Sequence, residues 1–258
     1  MKRLRRTAGP SPIFLGIVVV TIGGALLCTL NSSTAQTAGT VLLVLGGWTV
    51  TLCLHEFGHA YVALKAGDYS VRAKGYLTLD PRRYTYPLFS LLLPVLYLLI
   101  GGIPLPGGAV WLNHHAMRSR KMESLVSLAG PLSNLVIGVV LAEVAGALWS
   151  NGITGNMLAL AGALSYLALL QVIAFIINIL PIPGLDGWGA IEPWMSGDAK
   201  RFGQQVRPWA PLVLFAVLIG LPGVSAVLYD AADYLLGVFH GSVDLAQLGQ
   251  YNFLFWRH

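Results

Sequence analysis

Two histidines and a glutamate stand together in an otherwise apolar stretch, where residues 55–59 read His-Glu-Phe-Gly-His. Positions i and i+4 share one face of a helix, so His55 and His59 can direct ring nitrogens at one metal ion. Glu56 lies beside them and can reach a water molecule at that metal. Zinc peptidases use this arrangement to generate hydroxide at neutral pH. The spacing therefore predicts a zinc centre on a helix over about residues 40–65.

A second motif supplies a carboxylate, where residues 178–187 read Asn-Ile-Leu-Pro-Ile-Pro-Gly-Leu-Asp-Gly. The prolines end the preceding helix and Gly187 lets the chain turn, which would direct Asp186 back towards the histidines. Taken alone, such a run is typical of an interfacial turn. Two histidines and one carboxylate leave the fourth position of zinc for water, so Asp186 is the candidate third ligand. Glu123 and Glu143 are alternatives whose sequence context fits less well.

The composition that surrounds these motifs is that of an integral membrane protein. Only 10% of the 258 residues are charged, against about 25% in soluble domains. The net charge of +5 does not indicate a nucleic-acid partner, because the basic residues occur in separate short runs and are missing from residues 31–40 and 150–156. This distribution follows the positive-inside pattern of membrane proteins. Cys28 and Cys53 both lie in apolar segments and predict no disulfide framework.

The apolar spans that must position the motifs predict an all-α integral membrane protein with about six membrane segments, since a membrane helix needs about 20 apolar residues. They lie at about residues 12–30, 41–64, 88–103, 124–149, 157–180 and 209–239. The basic runs predict a multi-pass protein of the cell membrane with a cytoplasmic N-terminus. The same topology places both motifs towards the cytoplasmic side. Residues 221–223 read Leu-Pro-Gly, so the last stretch is one kinked helix or two short ones.

Residues 88–110 are the exception among these spans, because glycine and proline interrupt them repeatedly. Irregular backbone at membrane depth is tolerated only where protein or a wet cavity covers it. We therefore expect a re-entrant loop that carries a short β-element. The chain then divides into an N-terminal span and outer loop (1–40), a catalytic membrane core (41–190) and C-terminal membrane segments with a tail (191–258).

Together the motifs resemble those of the site-2 protease family, the intramembrane zinc metalloproteases. That family pairs a membrane-embedded His-Glu-x-x-His with a distant Asn-x-x-Pro-x-Pro-x-x-Asp-Gly, and the chain matches both in order. Residues 129–134, Ala-Gly-Pro-Leu-Ser-Asn, are similar to the Ala-Gly-Pro-x-x-Asn motif of the family. The resemblance covers about residues 41–190. No PDZ or other regulatory domain is recognisable, so the chain resembles a compact member.

The resemblance implies a role for each matching residue. His55, His59 and Asp186 would hold Zn²⁺, and Glu56 would be the general base and then the proton donor to the leaving amine. Asn134 would stabilise the oxyanion or hold the substrate backbone. An alternative for Asn134 is a hydrogen bond to a neighbouring helix.

The resemblance also implies a substrate-binding strand, formed by Gly107, Gly108, Ala109 and Val110. A peptide bond inside a helix is hidden by its own hydrogen bonds, so a helical substrate must unwind before it is cut. An exposed edge strand can pair with the N–H and C=O groups that unwinding frees. These glycines can alternatively form only a turn.

The implied activity is regulated intramembrane proteolysis. The enzyme would hydrolyse a peptide bond in or near the transmembrane segment of a single-span protein anchored in the lipid bilayer. The alternative is a catalytically inactive or metal-binding membrane adaptor or transporter. A transporter should show internal repeats and polar residues on several spans, and an inactive relative would usually lack Glu56. The sequence does not indicate an oligomeric state.

Overall fold

The computed structural model describes residues 9–84, 110, 112–113, 116–150 and 156–257, and the regular structure of this part is helical. Its α-helices are α1 (Pro12–Cys28), α2 (Ser33–Ala66), α3 (Ser70–Lys74), α4 (Arg120–Ser150), α5 (Asn156–Ile179), α6 (Asp186–Ile191), α7 (Gly197–Val206), α8 (Ala210–Gly220), α9 (Pro222–Val238) and α10 (Val243–Phe253). Short 3-10 helices occur at Tyr76–Thr78, Pro81–Arg83, Glu192–Trp194 and Phe255–Arg257.

Three helices in the described part of the chain are long and apolar enough to cross a membrane: α2, α4 and residues 157–179 of α5. Helices α7 and α8, which meet at an angle of 59°, would make a fourth if they form one broken span. A helical membrane protein is therefore confirmed, whereas six membrane segments are not. Helix α1 is apolar but has 17 residues, and the predicted re-entrant run 88–103 lies outside the described residues.

Helix α2 carries the histidine pair and begins at Ser33, earlier than the predicted start near Thr40. The prediction was wrong because the polar segment before Thr40 reads as an outer loop. Ser32 instead caps the helix, since its Oγ accepts a hydrogen bond from the N–H of Ala35 at 3.4 Å. The helix ends at Gly67, whose φ of 118° is a left-handed conformation that favours glycine.

Helices α2, α4 and α5 pack against one another and form the frame of the molecule. Helix α5 lies deepest, and its apolar side chains Val172, Ile173 and Ile177 are fully buried. On the far side of α5, Gly249 of α10 approaches the Gly162 carbonyl so closely that a Cβ at Gly249 would collide with it. This tight frame fixes α2, which carries the histidine pair, against α4, which packs over the two imidazoles.

The C-terminal apolar stretch is two helices, which settles the alternative that the sequence left open. Helix α8 ends at Gly220, and α9 begins at Pro222 after a break at Leu221. Proline has no N–H to continue a helical hydrogen-bond ladder but fits the first turn of a new helix. The Leu-Pro-Gly sequence therefore starts a new helix.

Candidate metal centre

Three side chains from two separate segments converge on one point in the structure. Nε2 of His55 lies 3.1 Å from Nε2 of His59, and Oδ2 of Asp186 lies 3.3 Å and 3.4 Å from these two nitrogens. Ligands about 2.0–2.1 Å from a tetrahedral zinc ion are separated by about 3.3 Å, so this triangle fits zinc. Within the described residues, no other cluster of three potential ligands has this geometry.

Asp186 reaches the histidines because the chain turns sharply after α5. Gly184 has a φ of +101°, a conformation that side chains with a Cβ rarely adopt. Gly187 follows in the first turn of α6, and a Cβ there would collide with the carbonyl of Ile179 at the end of α5. Two glycines thus permit the turn and the close return that the second motif predicts, and they bring Asp186 to the start of α6.

Helix α4 orients the second histidine. Nδ1 of His59 lies 2.7 Å from the carbonyl oxygen of Val126, and a carbonyl can only accept, so Nδ1–H donates this hydrogen bond. The proton on Nδ1 leaves Nε2 free to bind a metal. Gly130, one turn further along α4, has no side chain that could obstruct this atom. A Cβ at Gly130 would collide with Nε2 of both His55 and His59.

Glu56, the general base that the family resemblance implies, is buried in the same cleft as the candidate ligands. Its side chain is 1% exposed, and the backbone of Val110 hydrogen-bonds with its carboxylate. Its Oε2 atom has no partner among the described residues. Glu56 lines the same cleft as the three candidate ligands, and this cleft has a volume of about 230 Å³. One oxygen of a buried carboxylate is therefore held by backbone while the other remains available for a proton.

Asn178, the first residue of the second motif, lines the cleft, and so do residues that the motifs do not reveal: Ser127, Trp188, Glu192, Arg207 and Pro211. Arg207 entered the sequence argument only as part of a basic run that indicates topology. Arg207 lies at the junction between α7 and α8, where the chain bends, and this position follows from the structure rather than from the sequence. The cleft thus has charged groups of both signs besides the candidate ligands.

Asn134 lies apart from the cleft, and the predicted substrate-binding strand can be placed only at Val110. Asn134 is 5% exposed and lines a second, smaller cavity that shares His55 with the cleft. Val110 lines the cleft but has no strand structure. Gly107, Gly108 and Ala109 lie outside the described residues, so the substrate-binding strand stays a prediction.

The alternative carboxylate ligands do not join the centre. Glu143 lies further along α4, where its Oε1 is 3.0 Å from Nδ1 of His240. Among the described residues, neither Glu143 nor Glu123 belongs to a group that could hold a metal. Asp186 is therefore the carboxylate that the fold offers to the two histidines.

The loop that follows α2 is held by a buried carboxylate. Asp68 is 1% exposed, and its two oxygens accept hydrogen bonds from the backbone N–H groups of Ser70 at 3.0 Å and Asn113 at 2.8 Å. Burial alone would raise the pKa of Asp68, but these hydrogen bonds outweigh it and lower the pKa below its ordinary value. Asp68 thereby ties the end of α2 to the segment that returns from Val110.

Comparison with known proteins agrees with this geometry. The chain is 39% identical over 259 residues to the "putative zinc metalloprotease Rip2" of Mycolicibacterium smegmatis, which covers 99% of this chain and 98% of that protein. It is 40% identical over 255 residues to the protein of the same name from Mycobacterium tuberculosis H37Rv, with 98% and 96% covered. The "putative zinc metalloprotease YwhC" of Bacillus subtilis is 30% identical over 188 residues, 70% of this chain and 81% of that protein.

No protein-family model and no solved structure matches the chain. The two Rip2 relatives nevertheless align over almost its entire length, and the names of all three relatives agree with a cluster of ligands whose spacing fits zinc. They support a zinc metalloprotease rather than a transporter or an adaptor. With its membrane-length helices and both of its motifs in place, the chain belongs to the site-2 protease family of zinc metalloproteases.

Proposed function

We propose that the protein is an intramembrane endopeptidase that hydrolyses a peptide bond in or near the transmembrane segment of a membrane-anchored protein. The observation that carries the proposal is the position of the ligand triangle. His55 and His59 lie in the last third of α2, a helix long enough to cross a membrane, and open into the cleft beside Glu56. Ionisable groups at such a depth are costly, which favours a functional role.

The residues of the chain divide the chemistry between them. Zinc, when held by His55, His59 and Asp186, polarises a carbonyl group and lowers the pKa of water towards 7. Glu56 takes the proton of the attacking water on its free Oε2 and delivers it to the leaving amine. The Val110 backbone fixes the other carboxylate oxygen. The cleft walls bury Glu56 and the two histidines, which strengthens the electrostatic interactions among them.

The proposed substrate class rests on the family resemblance and on the membrane-length helices that carry the site. A single-span protein would approach laterally from the bilayer, unwind locally and place extended backbone against the segment that ends at Val110. Asn134 would hold the substrate backbone or balance developing negative charge, although its cavity lies next to His55 rather than in the cleft. The distribution of basic residues favours a multi-pass arrangement in the cell membrane with the centre facing the cytoplasm. Cleavage there would release a cytoplasmic fragment, as in regulated intramembrane proteolysis.

The Glu56→Gln variant tests the proposal, because an amide cannot take up the proton while the three ligands are unchanged. We expect the purified variant to bind one zinc ion per chain and to lose about 10²–10⁴-fold in cleavage rate of a single-span model substrate. Glu143→Gln, the same change at a distant carboxylate, should cleave normally. In cells, membranes from the active enzyme should contain a shortened single-span protein that the Glu56→Gln cells lack. Undiminished cleavage by Glu56→Gln would contradict the role of the base.

A further inference from the structure

The two histidines of the centre differ in what their second ring nitrogen contacts. Nδ1 of His59 donates to the carbonyl of Val126 at 2.7 Å. Nδ1 of His55 is buried and has no hydrogen-bond partner among the described residues. When Nε2 of a histidine faces a metal, Nδ1 carries the proton and normally donates it to a fixed acceptor. The orientation of His55 therefore requires an acceptor other than the described protein atoms.

A small cavity adjoins His55 on the side of Asn134. Its volume is about 20 Å³, and all of the residues that line it are buried. A cavity needs roughly 10–15 Å³ to hold one water molecule, so one molecule fits. Two other lining residues, Trp48 at 4% exposure and Gln171 at 1%, point unpaired donors, Nε1 and Nε2, into buried space. Three donors without partners thus belong to residues around one cavity of the size of a water molecule.

Unpaired donors are costly in a protein interior, and the cost is larger at membrane depth, where water is scarce. A water molecule has two lone pairs and two protons and needs two to four polar partners. Here it can accept from Nδ1–H of His55 and from Trp48 or Gln171. It can donate to the side-chain carbonyl of Asn134 or of Asn178, which also lines the cavity. Only one of the Trp48 and Gln171 donors can share the water with His55, because a water molecule has two lone pairs.

We propose that this cavity is a water-binding site that supplies the hydrogen-bond acceptor of His55 Nδ1 and so positions this ligand for the metal. Whichever of Trp48 and Gln171 donates to the water is a positioning residue in this arrangement, because it holds the water and does not touch substrate. The proposal rests on the proposed function in one respect, namely that His55 binds zinc. It also gives Asn134 a task that matches its location.

The contrasting explanation is that the Gln171 amide is simply unpaired. The two explanations predict opposite results for Gln171→Leu, a change of similar size that removes the polar atoms. Removal of an unpaired buried amide raises the melting temperature and leaves zinc binding unchanged. Removal of a group that holds the water frees His55 to rotate, and the affinity for zinc falls by about 10–100-fold, as for other partners of metal ligands.

The experiment uses the full chain in detergent micelles, with zinc affinity measured by competition with a chelator. The variants are Gln171→Leu and Trp48→Phe, and Co²⁺ replaces Zn²⁺ in a second series to report ligand geometry by visible absorption. Ser165→Ala is the matched control, since Ser165 is also fully buried with an unpaired hydroxyl on α5 but does not line the cavity. We expect at least one of the two test variants to lose affinity about 10-fold or more with an altered Co²⁺ spectrum, and the control to match the parent.

Zinc affinity within twofold of the parent in both test variants, with unchanged Co²⁺ spectra, would overturn the water site. That result differs from a failure of the proposed function, in which the parent protein itself binds no zinc or cuts no substrate. Because the readouts are metal affinity and ligand geometry, neither depends on finding the substrate.

Discussion

Histidine faces a carboxylate at two places along α4, and the two contacts differ in depth and in number of partners. Near the start of α4, Asp186 meets both His55 and His59, whose side chains are 8% and 7% exposed. About 20 Å further along, by the rise of a helix, Glu143 meets His240 alone, and these side chains are 54% and 83% exposed. The distance of 3.0 Å at the exposed pair is as short as any in the buried group.

The comparison shows that proximity of histidine and carboxylate does not by itself make a metal centre. At the buried group, a backbone carbonyl orients His59 and glycines permit the close approach of α4 and the turn to Asp186. A cleft with a potential base adjoins the three ligands. The exposed pair has none of these supports. Exposed ion pairs contribute at most about 1 kcal/mol to stability because water and salt screen them. Substitutions at a packed glycine, at a buried carboxylate and at an exposed carboxylate should therefore differ in their effects on zinc affinity and stability.

Gly130→Ala should have the largest effect, because its Cβ would collide with the two nitrogens that face the metal. We expect zinc affinity to fall at least about 100-fold, the upper end of the range for changes around a metal ligand. Gly146→Ala on the same helix is the matched control, since its Cβ would lie 3.2 Å from the carbonyl oxygen of His240, a contact that a small shift can relieve. Chelator competition measures both. Normal zinc binding by Gly130→Ala would show that the imidazoles do not lie against α4.

The centre illustrates which parts of the site could be predicted from the sequence. The four-residue spacing of His55 and His59 is a local property of a helix, and the glycines around Asp186 mark a local turn. The contacts of Gly130 and Val126 with the imidazoles could not be predicted, because Val126 is 67 residues from His59 and meets it only through the packing of α4 on α2. The same holds for the cavity shared by Gln171 and Trp48.

The fold shows the same division between local and long-range information. Hydropathy located α2, α4 and α5, and the Leu-Pro-Gly sequence located the break at Leu221. The start of α2 was misplaced because polar residues 33–40 can continue a helix once Ser32 caps it. The short helices near Asp68 have no apolar period that hydropathy could detect. Individual hydrogen bonds, such as those to Asp68, hold this segment instead.

Asp68→Asn tests whether a buried carboxylate matters more than an exposed one. An amide has one acceptor oxygen where the carboxylate has two, so one of the two backbone bonds is lost. We expect the free energy of unfolding at pH 7 to fall by about 1.5–3 kcal/mol. Asp198→Asn, at a side chain that is 95% exposed, should change it by less than about 0.5 kcal/mol.

The pH dependence of the Asp68 effect has a definite sign. The folded protein holds the pKa of Asp68 below its ordinary value, so the stabilisation is present above the unfolded pKa of about 3.9. It is lost as the pH falls through the lower, folded pKa. The parent and Asp68→Asn should therefore converge in melting temperature below about pH 4. A difference that stays constant from pH 7 into this range would show that the ionised carboxylate is not the source.

Of the three test variants, Glu143→Gln should have the smallest effect, and it probes the exposed side of the comparison. Loss of the pair with His240 should change the free energy of unfolding by less than about 1 kcal/mol, and high salt should remove most of that difference. Zinc affinity should be unchanged, because the triangle of His55, His59 and Asp186 is complete without this glutamate. Loss of zinc from Glu143→Gln would instead make Glu143 a ligand in solution and would require α4 to rotate or slide past α2. A short histidine–carboxylate distance would then have been the better guide to the metal centre than burial.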